Sequence, residues 1–169
     1  PPKPTTCRRQ RQMCIRDRFM HQLWQVGKTI LGLIFRHPLT GASVVPILPD
    51  GRIVLVRRRD NNRYALPGGM VEWGEDISTT VKRELYEETG LELVKIRRLV
   101  GVYSSPERDP RVHSINILVE ADVGGNMDVK DKLEISDVQG FKLTSLPQDL
   151  SHDYEQQLKD YLSGSTILA

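Results

Sequence analysis

The chain has 169 residues, 38% hydrophobic and 27% charged, with a mean hydropathy of −0.39; this suits one globular domain and excludes membrane-spanning, low-complexity and multidomain readings. The formal charge of +2 conceals a division. Six of the 24 basic residues (Lys3, Arg8, Arg9, Arg11, Arg16, Arg18) and one of the 22 acids, Asp17, fall in residues 1–18, which carry +5 and leave −3 for the rest, so overall basicity gives no support to nucleic-acid binding by the body.

Both cysteines, Cys7 and Cys14, also lie in that stretch, which excludes a disulfide framework and a structural zinc site for the body and suits a cytoplasmic setting. Residues 1–18 lack apolar periodicity, so nothing offsets the entropy of ordering them and they are expected to be a disordered basic extension. The run RRQRQMCIRDR resembles translated sequencing-adapter sequence, which would make the extension foreign to the natural protein and Met20 a start. The functional alternative is a basic tail for nucleic acid or an anionic membrane.

Within residues 19–38, Leu23, Val26, Ile30 and Ile34 recur at helical spacing, and Trp24, Leu31 and Phe35 widen the face, predicting an amphipathic helix. His21, Gln22, Gln25, Lys28 and Thr29 interrupt a run too short and polar to span a bilayer, and no clean signal-peptide cleavage site follows it. This helix is expected to pack on the domain, with peripheral membrane contact or a dimer surface as the alternatives.

From Thr40 the pattern turns to β. ASVVPIL, a Pro49-Asp50-Gly51 turn and RIVLV predict a hairpin, followed by strands over 91–103 and 113–123, a closing strand near 137–143 and a helix over 151–162. The mixed order predicts an α/β domain over residues 39–163 with a short tail, 164–169.

Between the two groups of strands lies ISTTVKRELYEET, residues 77–89, with Asp76 as N-cap and Gly90 as its stop. At 100° per residue Ile77, Val81 and Leu85 form an apolar stripe, and Glu84, Glu87 and Glu88 fill an adjoining arc about 100° wide. The like-charged pair Glu84 and Glu88 costs roughly 0.2–0.5 kcal/mol on an exposed helix and more when desolvated. Arg83 can pair with Glu87 but cannot neutralise three acids. A divalent ion is the economical compensation, and hard carboxylate oxygens without His or Cys favour Mg²⁺ or Mn²⁺; a solvated acidic face is the bland alternative.

The preceding LPGGMVEWGE places Gly68 and Gly69 where backbone can approach a ligand closely. Read from Gly69, GMVEWGEDISTTVKRELYEETGL fits the pattern GX5EX7REUXEEXGU, U being aliphatic, at Gly69, Glu75, Arg83, Glu84, Leu85, Glu87, Glu88, Gly90 and Leu91. On these residues the chain resembles the Nudix hydrolases from about Thr40 to about Leu162. The resemblance implies an α/β/α sandwich around a mixed sheet and hydrolysis of a nucleoside diphosphate linked to another moiety. It implies that Glu84, Glu87 and Glu88 hold the metal, that Glu75 supports them or joins in through water, that Gly69 offers its carbonyl and that Arg83 orients the acids. Glu88 is one candidate general base; Glu134, in KLEISDVQGF, is another by a looser likeness, and otherwise a surface acid.

VGVYSSPERDPRVHSINILVEA, residues 100–121, resembles the corresponding segment of ADP-ribose pyrophosphatases, with Pro106 fifteen residues past Leu91 and RDPR-x-H running from Arg108 to His113. Arg108 and Arg111 could offer forked donors to phosphate or ribose, Pro106 and Pro110 stiffening their loop and His113 stacking or donating; the alternative is an Asp-Pro turn with solvated arginines. In the cluster Arg57, Arg58, Arg59 and Arg63, alternation directs Arg57 and Arg59 to one face, and Arg57, Arg59 and Arg63 are taken as candidate phosphate contacts. Two departures stand out: Gln139-Gly140-Phe141, where many relatives carry a tryptophan before an aromatic, implies a missing packing or stacking contact, and Tyr64 replaces another common tryptophan.

The leading expectation is Mg²⁺-dependent cleavage of ADP-ribose or a similar nucleotide sugar to AMP and a sugar phosphate, in a cytoplasmic protein with no specific nucleic-acid partner and, by the resemblance, a homodimer. The alternatives are a pyrophosphohydrolase of oxidised nucleoside triphosphates and a non-catalytic nucleotide-binding regulator; three costly acids argue against the last.

Overall fold

The computed structural model describes residues 37–108 and 112–169. The basic extension, the amphipathic segment through residue 36 and Arg111 lie outside them.

Among the described residues, eight strands and two helices follow in order: β1 (Leu39–Ile47), β2 (Ile53–Arg58), β3 (Tyr64–Ala65), β4 (Gly68–Met70), α1 (Ile77–Thr89), β5 (Glu92–Tyr103), β6 (Ser114–Gly124), β7 (Ile135–Phe141), α2 (His152–Ser163) and β8 (Ile167–Leu168). The sheet is mixed, in the order β3-β2-β1-β6-β5-β8, with β4 also on β1 and β7 on β2. β1 runs parallel to β6 and β5 parallel to β8; the other pairings are antiparallel.

Alternation sorts the apolar side chains onto two faces. Ala42, Val44, Val54, Val119 and Ala121 pack with Val81 and Leu85 of α1. Val45, Ile47, Ile53, Leu55 and Leu118 pack with Leu158 of α2. One helix thus covers each face, giving the expected α/β/α sandwich.

The hairpin is looser than its sequence predicts. β1 and β2 share only the Ile47–Ile53 pairing, because β4 takes the start of β1, Gly41–Ser43, and β7 takes β2. β1 therefore forks, and the fork seats Gly68 and Gly69 in the sheet. The closing strand begins two residues earlier than 137, at Ile135, which pairs with Arg58. Strands as short as β3, β4 and β8 carry too few residues for a periodic signal.

The helix limits fall where the caps place them. Asp76 accepts from the Thr79 N–H at 2.7 Å, and Gly90, at φ 73°, ends α1 by donating its N–H to the Tyr86 carbonyl.

Candidate functional site

The acids of α1 are not equivalent, because the helix leans on β4. Glu88 is 5% exposed, and its Oε2 accepts the backbone N–H of Gly68 at 2.9 Å. Burial pushes its carboxyl up to about 8, reinforced by the charges of Glu84 and Glu134 and opposed by the Gly68 hydrogen bond and the charge of Arg58. Burial also raises Glu84, Arg83 opposing and Glu87 and Glu134 adding repulsion. Glu87 stands on the solvent side of the turn, 3.4 Å from Arg83 Nη1.

Arg83 is the fork that arranges them. Its Nε and Nη2 donate to the two oxygens of Glu75 at 2.9 and 3.0 Å, its Nη1 donates to Glu84 Oε1 at 2.6 Å, and Nη2 also reaches the Met70 carbonyl at 3.1 Å. Lysine has no planar fork to span four acceptors. Glu75 also accepts from the Thr80 hydroxyl at 2.8 Å; the Arg83 guanidinium is the first cause holding its carboxyl down at about 2.

The space for these groups is set by glycine. A Cβ on Gly69 would fall 2.3 Å from Glu84 Oε1, and one on Gly68 would fall 2.4 Å from the Ala42 carbonyl oxygen at φ 154°. The Gly69 carbonyl lies over Gly41, 3.2 Å from where a side chain would begin.

The loop before β7 is fastened to the end of α1. Lys130 and Asp131 donate their N–H groups to the Glu87 carbonyl and Asp128 donates to the Thr89 carbonyl, so orphan carbonyls of the last turn are satisfied. This anchoring carries the exposed Glu134 to where its charge raises both Glu84 and Glu88.

Among the described residues no three acid, histidine or cysteine side chains stand together as a ready metal cage. The donor chemistry nevertheless fits a hard divalent ion. Two partly desolvated carboxylates repel each other, and Mg²⁺ commonly takes one or two carboxylates, completing its shell with water and substrate phosphate.

The arginines part company. Val54, on β2, packs against α1, while Ile53 and Leu55 face α2. Arg57 continues that alternation on the α2 side, and the register shifts before Arg58, whose guanidinium forks onto Asp60 at 3.1 and 3.0 Å while its charge acts on Glu88. Arg57 pairs with Asp149 at 2.7 Å and lies over the Tyr64 ring. Arg59 and Arg63 are exposed on the following turn. Alternation along β2 told which arginines share a face but not which face meets the acids, since β2 is apolar on both sides; Arg58 was passed over for that reason.

A cleft of about 180 Å³ opens beside Gly68 and Gly69, lined also by Gly41, Ser43, Arg108, Asn116, Tyr154 and Gln157. Arg108 donates to the Tyr103 carbonyl at 2.9 Å and lies over its ring. His113 is 2.9 Å from the Ser104 carbonyl and Pro106 is in an exposed turn; both shape the loop and neither lines the cleft. Ser43, Asn116 and Gln157 escaped sequence reasoning. Their signal was faint: Ser43 and Asn116 are polar side chains alternating onto a strand face that otherwise buries valine and leucine.

The two departures from the family pattern meet in space. Tyr64 donates its hydroxyl to Gln139 Oε1 at 3.1 Å and packs edge-on against Phe141, ring centres 5.1 Å apart. Instead of a missing contact, the smaller residues form a joint one.

Comparison with known proteins agrees with this geometry. The NUDIX domain profile matches residues 37–161. The ADP-ribose pyrophosphatase of Methanocaldococcus jannaschii is 41% identical over 133 residues, covering 76% of each chain. Among solved structures, the MutT NUDIX hydrolase of Burkholderia pseudomallei superposes with a TM-score of 0.65 at 29% identity, covering 74% of this chain and 98% of that one. The NUDIX domain of Shewanella oneidensis NrtR, solved with ADP ribose, superposes with a TM-score of 0.67 at 22% identity, covering 78% and 90%; at that identity the likeness is one of fold. Among the described residues no helix is long and apolar enough to cross a membrane.

Proposed function

We propose that this chain, which belongs to the NUDIX family and so is an enzyme acting on pyrophosphate bonds, hydrolyses ADP-ribose or a closely related nucleotide sugar with Mg²⁺, giving AMP and a sugar phosphate. The observation that carries the reading is the seating of the buried Glu88 and the half-buried Glu84 against the Gly68–Gly69 strand, whose glycines line a polar cleft. The 41% likeness to an archaeal ADP-ribose pyrophosphatase supports the choice of substrate.

In this reading Glu84 and Glu88, with the Gly69 carbonyl, hold the ion, and Glu87 reaches it from the solvent side. Bound there, Mg²⁺ screens the diphosphate charge and lowers the pKa of a coordinated water, with Mn²⁺ as a substitute. Arg83 keeps Glu84 in place and Glu75 keeps Arg83 in place. Glu88 or Glu134 accepts the proton of the attacking water. Arg58, whose charge reaches Glu88 from its pair with Asp60, and Arg108 at the cleft meet the phosphates and sugar; Arg57 pairs with Asp149 and lies over the Tyr64 ring. The protein acts in the cytoplasm, and a homodimer belongs to the same proposal, checked by sedimentation.

Incubation with ADP-ribose, NADH, diadenosine polyphosphates and 8-oxo-dGTP in Mg²⁺, with product analysis, tests the substrate. AMP and ribose 5-phosphate from ADP-ribose are expected. Consumption of triphosphates alone, with release of pyrophosphate, would replace this reading by that of a triphosphate sanitiser.

A further inference from the structure

Behind the cleft runs a chain of buried polar groups that the hydrolytic reading leaves unused. Ser43 Oγ donates to Asn116 Oδ1 at 3.1 Å, and Asn116 Nδ2 donates to Gln157 Oε1 at 3.3 Å. Ser43 is 4% exposed and Gln157 only 1%. The chain is satisfied in either sense, since the Ser43 hydroxyl both donates and accepts and the two amides can turn over together; one end of the Gln157 amide bonds Asn116 and the other faces away from it. That outer end has no partner among the described residues and is not sealed from solvent, so it opens onto the cleft that the side chain lines. An amide that meets water only through a cleft is placed to exchange that water for a ligand hydroxyl.

We infer that Gln157, held by Asn116 and Ser43, is a specificity-determining residue whose amide hydrogen-bonds a hydroxyl of the substrate's terminal sugar, the part beyond the diphosphate. This deepens the ADP-ribose reading and rests on it for the substrate's identity. Three features favour a sugar over a nucleobase. The cleft, at about 180 Å³, holds one ring. Its polar lining comes from amides, hydroxyls and the Arg108 guanidinium, groups that match a polyol. Tyr154 is the one aromatic side chain in the lining, so no pair of rings is there to sandwich a base.

The test uses the full chain and Gln157→Met, which keeps length and apolar packing but removes the amide. Thermal shift is read with ribose 5-phosphate and, separately, AMP; steady-state kinetics are read with ADP-ribose and with IDP-ribose, which changes only the base. Ribose 5-phosphate is expected to raise the melting temperature of the wild type and not of the variant, while AMP raises both. The variant's KM should increase roughly tenfold for both substrates with kcat within about threefold. A second variant, Asn116→Ala, should raise KM in the same way by releasing the Gln157 amide. Loss of the AMP shift in place of the ribose 5-phosphate shift, equal shifts in both proteins, or no ribose 5-phosphate shift in the wild type would overturn the assignment. If wild-type protein binds ribose 5-phosphate through Gln157 yet leaves ADP-ribose intact, the substrate reading fails and the sugar subsite stands.

Discussion

The backbone N–H of Gly68 donates to Glu88 Oε2 at 2.9 Å, the sole hydrogen bond that the described residues give to a carboxylate that is 5% exposed. One neutral donor does not replace the water such a group loses, so Glu88 is a poor structural acid and is better suited to holding a cation. Glu88→Gln keeps the shape and the Gly68 bond. It is expected to lower turnover in Mg²⁺ on the order of 10² or more without loss of fold, measured by steady-state hydrolysis and circular dichroism. Wild-type turnover would remove Glu88 from the site.

The same burial sets a pH dependence. With its carboxyl raised to about 8 against about 4.3 in an unfolded chain, the metal-free folded state binds more protons than the unfolded state between those values. The favourable contribution is therefore complete below about pH 4 and is lost as the pH rises through about 8. In EDTA, the melting temperature of wild type should fall relative to that of Glu88→Gln between pH 6 and pH 9. Parallel curves for the two proteins would show that Glu88 does not titrate in this range.

Metal binding should run against the same proton. Near neutral pH the ion must displace it, so apparent Mg²⁺ affinity should strengthen from pH 6 to pH 8.5, with proton release of up to about one per site. Isothermal titration in buffers of different ionisation enthalpy measures the release directly; a binding enthalpy independent of buffer would contradict it.

The two glycines of β4 should fail differently when given a methyl group. A Cβ on Gly69 meets the mobile end of Glu84, whereas one on Gly68 meets the backbone of Ala42 and Ser43 at a φ that other residues avoid. Gly69→Ala should fold with a near-normal melting temperature but bind Mg²⁺ at least tenfold more weakly, by an estimate from the disturbance of one ligand. Gly68→Ala should cost several kcal/mol, roughly 2–4, of stability. Denaturant titration beside metal titration separates the two, and equal losses of stability would refute the distinction.

Much of the fold could be read from the chain because its signals were local. Asp76 and Gly90 mark α1 by cap chemistry, and the spacing of Glu84, Glu87 and Glu88 forces them onto one arc. What escaped was relational. The sheet partner of Gly68–Gly69 is set by the fork of β1, which no residue of β1 announces. Tyr64 and Gln139 read as two separate irregularities 75 positions apart, and only the neighbouring of β3 and β7 across β2 makes them one hydrogen bond. The amide relay from Ser43 to Gln157 joins β1, β6 and α2, elements whose packing is tertiary from the outset.

The face on which each arginine of β2 lies gives the sharpest contrast between neighbouring side chains. Arg58 lowers the Glu88 carboxyl through its charge, so Arg58→Met should raise that carboxyl further and move the pH midpoint of Mg²⁺ binding in the alkaline direction. Arg57, one residue away, faces α2 and holds Asp149 and the Tyr64 ring. Both partners of that ion pair are partly exposed, at 33% and 46%, so screening limits its worth, and Arg57→Met should cost no more than about 1 kcal/mol of stability. It should leave the pH midpoint where it is. The two variants, titrated with Mg²⁺ across pH 6–9, should therefore separate; a shift in Arg57→Met with none in Arg58→Met would mean that the faces of β2 are assigned the wrong way round.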